Sequence, residues 1–195
     1  MLLLPGTSHP MIADAPRSHV LARDPDLLEG LDPSAARVAA AKAPALVFSV
    51  GVGDWHQPLA EAGRPSDIGF LILDGLFLRE VRVGTSRCCE LVGRGDLIRP
   101  WDEDDLRSVE ASTEWRAHVP AKVALLDAAW ARAVAPWPDI TSNLLRRAVR
   151  RSQSLALYLA ISHVVGVDER VLAILWHFAD RWAACRRPAR CSSSS

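Results

Sequence analysis

The sequence predicts a mixed α+β protein in which a small antiparallel β-roll is followed by a long helix and one further helix. Strand-like runs in residues 69–101 are interrupted at short intervals by turn residues. The apolar spacing becomes helical over residues 140–163. A small barrel that leads into a long helix is typical of a ligand-sensing, dimerising module rather than of an enzyme. The turn residues are Asp74-Gly75, Gly84-Thr85-Ser86 and Gly93-Arg94-Gly95-Asp96.

Bulk composition excludes partners that act through overall charge. The 195 residues include 23 basic and 23 acidic side chains, so the formal net charge is zero and only local patches would attract nucleic acid or anionic lipid. No apolar run reaches the roughly 18 residues that span a bilayer, and the apolar start is too short for a secretory signal. We therefore expect a cytoplasmic protein with no membrane partner.

The four cysteines predict no disulfide framework and no metal site. Cys88 and Cys89 are adjacent and would point to opposite faces of a strand. Cys185 and Cys191 lie in a polar tail. We expect free thiols, with one of the adjacent pair buried.

Seven or eight short strands are predicted between Ala45 and Leu126. The clearest local signal is Asp74-Gly75, which predicts a two-residue type I′ hairpin between strands at 68–73 and 76–83. The expected parts of the chain are a disordered arm (1–26), a β-roll with flanking helices (27–135), a dimerisation helix (136–166), a second helix (167–182) and a disordered tail (183–195).

The long helix carries a stripe of apolar and small residues at alternating spacings of three and four. This pattern suits a parallel pair of helices that approach closely, and it predicts a homodimer. Four arginines follow the early outer face of the helix, where we expect a solvated surface; contact with DNA or with a partner's roll is the alternative. The stripe consists of Leu145, Ala148, Ser152, Leu155, Leu159 and Ser162, and the arginines are Arg146, Arg147, Arg150 and Arg151.

Four segments in this order resemble the Crp/Fnr family of transcription regulators. The resemblance covers roughly residues 27–182 and implies a cyclic-nucleotide-binding-like jelly roll, a dimerisation helix and a C-terminal winged helix. The segments are LILDGLFLREVRVG, ELVGRGDLIRPW, VALLDAAWARAVAPWPDITSNLLRRAVRRSQSLALYLAISHV and DERVLAILWHFADRW.

The resemblance also locates a candidate ligand pocket, which departs from the family pattern. Members that bind a cyclic nucleotide follow a glycine-aspartate turn with glycine-glutamate and, further on, an arginine-serine/threonine-alanine segment. Here Arg99-Pro100-Trp101 stands at the glycine-glutamate position and Ala111-Ser112-Thr113 near the arginine segment. The resemblance therefore implies no cofactor and weak or no cyclic-nucleotide binding.

An unknown small-molecule effector remains open, with Arg99 and Arg116 as substitute positive charge and Trp101 as a stacking surface. The alternative is that Trp101 belongs to the core, Arg116 is solvated and the pocket binds nothing. The candidate pocket residues are Gly95, Asp96, Leu97, Arg99, Trp101, Ser112 and Arg116.

DNA binding depends on the residues after Trp182. There are only 13 of them, and they are mostly arginine, proline and serine. By the resemblance, residues 167–182 are the first helix of a truncated winged helix, without the helix that would enter the major groove. Specific DNA binding by this chain is therefore not expected.

Catalytic and metal-binding patterns find no support, so we expect no enzyme. There is no GxSxG, no phosphate-binding loop, and no His-x-His for a cupin-like metal enzyme. The acidic run at 102–105 is expected to be a solvated loop, and the histidines His56, His118, His163 and His177 are isolated.

The leading hypothesis is the effector-sensing and dimerising portion of a Crp/Fnr-like transcription regulator. The alternative is a standalone effector-binding and dimerisation module that modulates full-length relatives by forming mixed dimers.

Overall fold

The computed structural model describes residues 16–55, 66–102 and 109–183. The chain divides into two compact units, residues 1–148 and 149–195, and the boundary falls inside a long helix. The strands are β1 (Arg17–His19), β2 (Pro44–Val50), β3 (Gly53–Asp54), β4 (Gly69–Asp74), β5 (Leu76–Val83), β6 (Ser86–Gly93), β7 (Leu97–Ile98), β8 (Ser112–Ala117) and β9 (Ala121–Leu126). The helices are α1 (Val20–Arg23), α2 (Pro33–Lys42), α3 (Ala128–Val134), α4 (Pro138–Ser162) and α5 (Val167–Ala183), with short 3-10 helices at Pro25–Leu28 and Pro100–Asp102.

The strands form two antiparallel sheets that enclose one apolar layer. One sheet has five strands in the order β1-β2-β9-β4-β7, and the other has four in the order β3-β8-β5-β6. With the long helix α4 and the further helix α5, this confirms the predicted mixed α+β class and the β-roll. None of the described helices combines the length and the apolar composition that crossing a bilayer requires.

Strand β4 lies between two apolar layers, which explains its unbroken apolar sequence. Phe70 and Ile72 point into the layer between the sheets. Leu71 and Leu73 point the opposite way, into a layer formed with the helices, because successive side chains of a strand alternate between its faces. The helix-side layer contains Val20, Leu21, Leu27, Ala39, Trp130, Val134, Ile140 and Leu144.

The predicted hairpin at Asp74-Gly75 is wrong. Strand β4 pairs with β7 and β9, whereas β5 pairs with β6 and β8, so the chain crosses here from one sheet to the other. Gly75 has φ +105° and serves the crossing rather than a two-residue hairpin. The hairpin instead joins β5 to β6, where Val83 pairs with Ser86 around Gly84 at φ +56°.

The predicted disordered arm is also wrong for residues 17–26. Strand β1 pairs with β2, and Val20 and Leu21 are completely buried. Their side chains fill the helix-side layer, so burial rather than local periodicity orders this segment. Residues 1–15 lie outside the described residues, as does the predicted tail from 184 onward.

The second unit contains the later part of α4 and helix α5. Ile161 is buried there, and the Ser154 hydroxyl makes a 2.9 Å hydrogen bond with His177 Nε2. The long helix runs from Pro138 to Ser162 rather than over the predicted 136–166, and α5 begins at Val167 as predicted.

Candidate functional site

The turn between β6 and β7 is closed by its own residues. The Asp96 carboxylate accepts the Gly93 amide at 2.8 Å, and the Asp96 amide donates to the Gly93 carbonyl at 3.0 Å. Gly95 has φ +87°, and its amide donates to the Ile72 carbonyl at 2.8 Å. The Asp96 side chain therefore stabilises the turn rather than pointing to a ligand.

Arg99 and Trp101 are neighbours, and the half-buried Arg99 side chain donates hydrogen bonds to backbone carbonyls. Its Nη1 donates to the Asp67 carbonyl at 2.6 Å and to the Ile68 carbonyl at 3.3 Å. Its guanidinium carbon lies 5.4 Å from the Trp101 ring centroid. Leu97, just before them, packs against the helix-side layer.

Ser112 and Arg116 lie on the outer face of the four-stranded sheet, away from the other candidates. Both are exposed, and Arg116 pairs with Asp54 at 3.2 Å. Their neighbours Trp115 and Ala117 point inward instead. The structure thus brings Gly95, Asp96, Leu97, Arg99 and Trp101 together along one stretch of chain and leaves Ser112 and Arg116 outside.

Aromatic rings fill the layer between the two sheets. The centroid of Trp55 lies 5.0 Å from that of Phe77 and 6.0 Å from that of Trp115. Phe70 and Trp101 are 5.3 Å apart in an edge-to-face arrangement. Offset and edge contacts of this kind stabilise the apolar layer between the sheets.

Sequence reasoning missed a charged pair on the inner face of the roll. Arg79 Nη1 lies 3.4 Å from Glu90 Oε2, and the Glu90 side chain is only 6% exposed. The Arg79 guanidinium also lies 5.8 Å from the Trp115 ring centroid. The alternation in β5 is the signal that would have found it, because Arg79 is two residues from the inward-facing Phe77.

Two indole donors accompany this pair in the same interior. The Nε1 atoms of Trp101 and Trp115 are buried and have no acceptor among the described residues. A buried donor without a partner is costly. Together with Arg79, these donors are hydrogen-bonding groups within an otherwise aromatic interior.

The adjacent cysteines both lie on strand β6, so their side chains point to opposite faces as predicted. Neither cysteine is fully buried. Cys88 is exposed and Cys89 half-buried. Burial, followed by the carboxylate of Glu80, raises the pKa of the Cys89 thiol. Because the thiolate is the nucleophile, a raised pKa disfavours reactive chemistry at this cysteine.

The predicted stripe of α4 is largely exposed in the single chain. Leu145 is 64% exposed and Leu159 60%; Leu155 is half-buried, and Ala148, Ser152 and Ser162 are exposed. Large apolar side chains in such numbers on one helix favour a partner surface.

The arginines of α4 do not form a uniformly solvated face, so that prediction is corrected. Arg146 pairs with Glu29 at 3.1 Å. The Arg147 side chain is only 17% exposed and pairs with Asp24 through both terminal nitrogens. These acidic partners lie in or just after the segment predicted to be a disordered arm, more than a hundred residues away.

The remaining candidates are the histidines predicted to be isolated and the acidic run at 102–105. Residues 16–55, 66–102 and 109–183 contain no cluster of three or more His, Cys, Asp or Glu side chains that would hold a metal ion. His177 is not isolated, because it bonds to Ser154. His56 and the acidic residues 103–105 lie outside the described residues.

Comparison with known proteins finds likeness only among solved structures. No family model matches, and no curated protein matches. The Thermus thermophilus catabolite activator protein matches with 20% identity and a TM-score of 0.44, over 70% of this chain and 62% of its own. CprK complexed with OCPA matches with 10% identity and a TM-score of 0.49, over 77% and 66%.

A third match is a cAMP-binding acyltransferase from Mycobacterium smegmatis, with 20% identity and a TM-score of 0.43, over 72% of this chain and 43% of that one. The chain thus spans about two thirds of the length of the first two structures. Likeness at this level assigns no ligand or activity, so function has to be inferred from the residues of the chain itself.

Proposed function

We propose that this chain is the effector-sensing and dimerising part of a Crp/Fnr-like transcription regulator. The observation that carries the proposal is the exposed stripe of helix α4, which follows a closed β-roll along the chain. Leu145 and Leu159 expose well over half of their side chains, at the 3-4 spacing that a parallel helix pair buries. The resemblance of the sequence to the family supports the same order of parts.

Light scattering and sedimentation on the purified chain test the dimer. The wild-type protein is expected to have twice the monomer mass at protein concentrations on the order of tens of micromolar, because dimer formation depends on concentration. Leu159→Arg places a charge in the stripe and is expected to give a monomer.

Leu157 provides a matched control on the same helix. It is 52% exposed but lies outside the 3-4 stripe, so Leu157→Arg is expected to remain dimeric. A monomeric wild type refutes the dimer, and loss of dimerisation in both variants refutes the assignment of the stripe.

The effector is proposed to be a small molecule other than a cyclic nucleotide. Arg99 bonds to backbone carbonyls and Arg116 lies outside, paired with Asp54. Neither supplies the buried guanidinium that a cyclic phosphate needs, and the inward-facing guanidinium of Arg79 is already paired with the Glu90 carboxylate. Arg79, with the indole donors of Trp101 and Trp115, is the better candidate for contacting an effector that carries acceptor atoms.

The role is proposed to be regulatory rather than enzymatic. The Ser154–His177 hydrogen bond joins α4 to α5, and a serine–histidine pair alone does not make a catalytic arrangement. A standalone module that forms mixed dimers with full-length relatives is the second candidate, and the same exposed stripe favours it. Co-expression with a full-length relative, followed by tandem purification through two different tags, distinguishes the two roles.

A further inference from the structure

The segment between α1 and α2 is held by helix α4. The Asn143 side-chain amide donates to the Leu27 carbonyl at 3.1 Å and to the Glu29 carbonyl at 2.9 Å. One turn further, Arg146 pairs with Glu29 at 3.1 Å. Asn143 is buried, so these contacts fix residues 24–29 against the start of the long helix.

Arg147 is the central member of this contact. Its Nη2 donates to Asp24 Oδ1 at 2.8 Å, and its Nη1 donates to Asp24 Oδ2. Asp24 is 5% exposed. A bidentate arginine–carboxylate pair has a fixed geometry, and removing one partner leaves the other charge buried and uncompensated.

The same arginine reaches the turn between β6 and β7. Its Nη1 lies 3.5 Å from the Gly95 carbonyl, and a Cβ built on Gly95 would stand 3.6 Å from that nitrogen. Arg94 of the turn donates in turn to the Arg23 carbonyl at 3.2 Å. Asp24 therefore binds Arg147 of α4, and its neighbour Arg23 accepts a hydrogen bond from Arg94 of the turn.

We propose that Arg147 is a positioning residue for the β6–β7 turn, and that through Asp24 it makes this turn and the start of helix α4 move as one unit. The turn begins the stretch that contains Arg99 and Trp101, while the helix carries the exposed stripe. A displacement of the turn therefore also displaces the start of helix α4. A regulatory role for this coupling rests on the proposed function, whereas the coupling itself does not.

Hydrogen exchange measured by mass spectrometry tests the coupling. The reporters are the amides of Gly95 and Ile72, since Gly95 donates to the Ile72 carbonyl and Ile72 to the Asp96 carbonyl. Arg147→Met is expected to accelerate their exchange about ten-fold, as expected when a local opening becomes easier. Arg146→Met is the matched control: it removes an exposed arginine of the same helix and is expected to change these rates less than about two-fold.

Amides inside the β5–β8 ladder separate positioning from general destabilisation. In Arg147→Met they are expected to exchange nearly as in the wild type, whereas a purely structural role would accelerate them together with the turn. Arg147→Lys keeps the charge and is expected to recover part of the protection. Asp24→Asn preserves the side-chain volume and removes the same ion pair, so it is expected to give the same exchange pattern as Arg147→Met. It replaces Arg147→Met in the test if that variant is too unstable to purify.

Two results overturn the proposal: wild-type exchange at Gly95 and Ile72 in both Arg147→Met and Asp24→Asn, or equal acceleration throughout the roll. Sedimentation of the same variants supplies the link to dimerisation, which Arg147→Met is expected to alter and Arg146→Met to leave unchanged. A monomeric wild type refutes the proposed function but not the positioning role, which the exchange data decide separately.

Discussion

Gly75 and Ala121 approach so closely that a Cβ built on Gly75 would lie 2.3 Å from the Ala121 Cβ and 2.7 Å from its Cα. The contact occurs where the chain crosses from the five-stranded to the four-stranded sheet. Gly75 also has φ +105°, a conformation that L side chains rarely adopt.

Gly75→Ala is therefore expected to destabilise the protein by about 3 kcal/mol, because overpacking against backbone adds to the cost of the left-handed conformation. Chemical denaturation measures this free energy. Gly84→Ala is the control, since Gly84 has φ +56° and nothing within 4 Å of the built Cβ; its expected cost is about 1 kcal/mol. Equal costs at the two glycines would contradict the steric argument.

Trp130 is expected to be the most sensitive tryptophan for stability. It is 1% exposed, and its Nε1 donates to the Ala43 carbonyl at 3.1 Å. Trp130→Phe removes the donor to that carbonyl and creates a small cavity, so we expect a loss of about 2–3 kcal/mol in unfolding free energy. Trp176→Phe, at a side chain that is 64% exposed, is expected to change stability by less than about 0.5 kcal/mol.

Cyclic AMP and cyclic GMP are expected to bind with dissociation constants weaker than about 1 mM, since a missing buried phosphate contact costs decades of affinity. Titration calorimetry, with an established cyclic-nucleotide-binding protein as positive control, measures this. Micromolar binding of either nucleotide would contradict the prediction. Arg79→Gln and Arg99→Gln would then show which guanidinium contacts the phosphate.

The contact that His177 of α5 makes with Ser154 of α4 is expected to weaken below neutral pH. Burial, and then Arg181, lower the pKa of His177 below its ordinary 6.5, while Asp180 acts in the opposite direction. The unfolded chain thus takes up the proton more readily, so the contribution is fully present above pH 6.5 and is lost as pH falls through the folded pKa.

Circular dichroism melts at pH 7 and pH 5 measure this effect. His177→Gln keeps a hydrogen-bonding partner for Ser154 but does not titrate, so it is expected to lose less stability than the wild type between the two pH values. Identical losses in both proteins would show that other groups cause the pH dependence.

Local sequence patterns predict the elements better than their pairing. The helical spacing in α4 and the strand-like run of β5 depend on neighbours in sequence, and both elements lie close to where they are expected. Asp74-Gly75 correctly indicates a change of direction, but the pattern contains no information on which strand lies alongside β4. That choice depends on packing between residues such as Gly75 and Ala121, 46 positions apart.

The candidate site is harder to predict for the same reason. The arm at 17–26 lacks periodicity, yet Asp24 pairs with Arg147, 123 positions away. Family resemblance assigns Ser112 and Arg116 to the pocket, whereas the strand alternation turns Trp115 inward and leaves those two outside. Arg79 gives an ambiguous signal. The alternation in β5 places it on the same face as Phe77, whereas its charge suggests a solvated face until its partner Glu90 is known.

The inward carboxylate of Glu90 has a consequence for solubility. Strand β6 forms one edge of the four-stranded sheet among the described residues, and its eight residues offer backbone groups to which another chain could add as a strand. A charge that points inward from an edge strand opposes such addition, because stacked copies would have to bury it repeatedly. The pair that neutralises Glu90 within one molecule thus also discourages edge-to-edge aggregation.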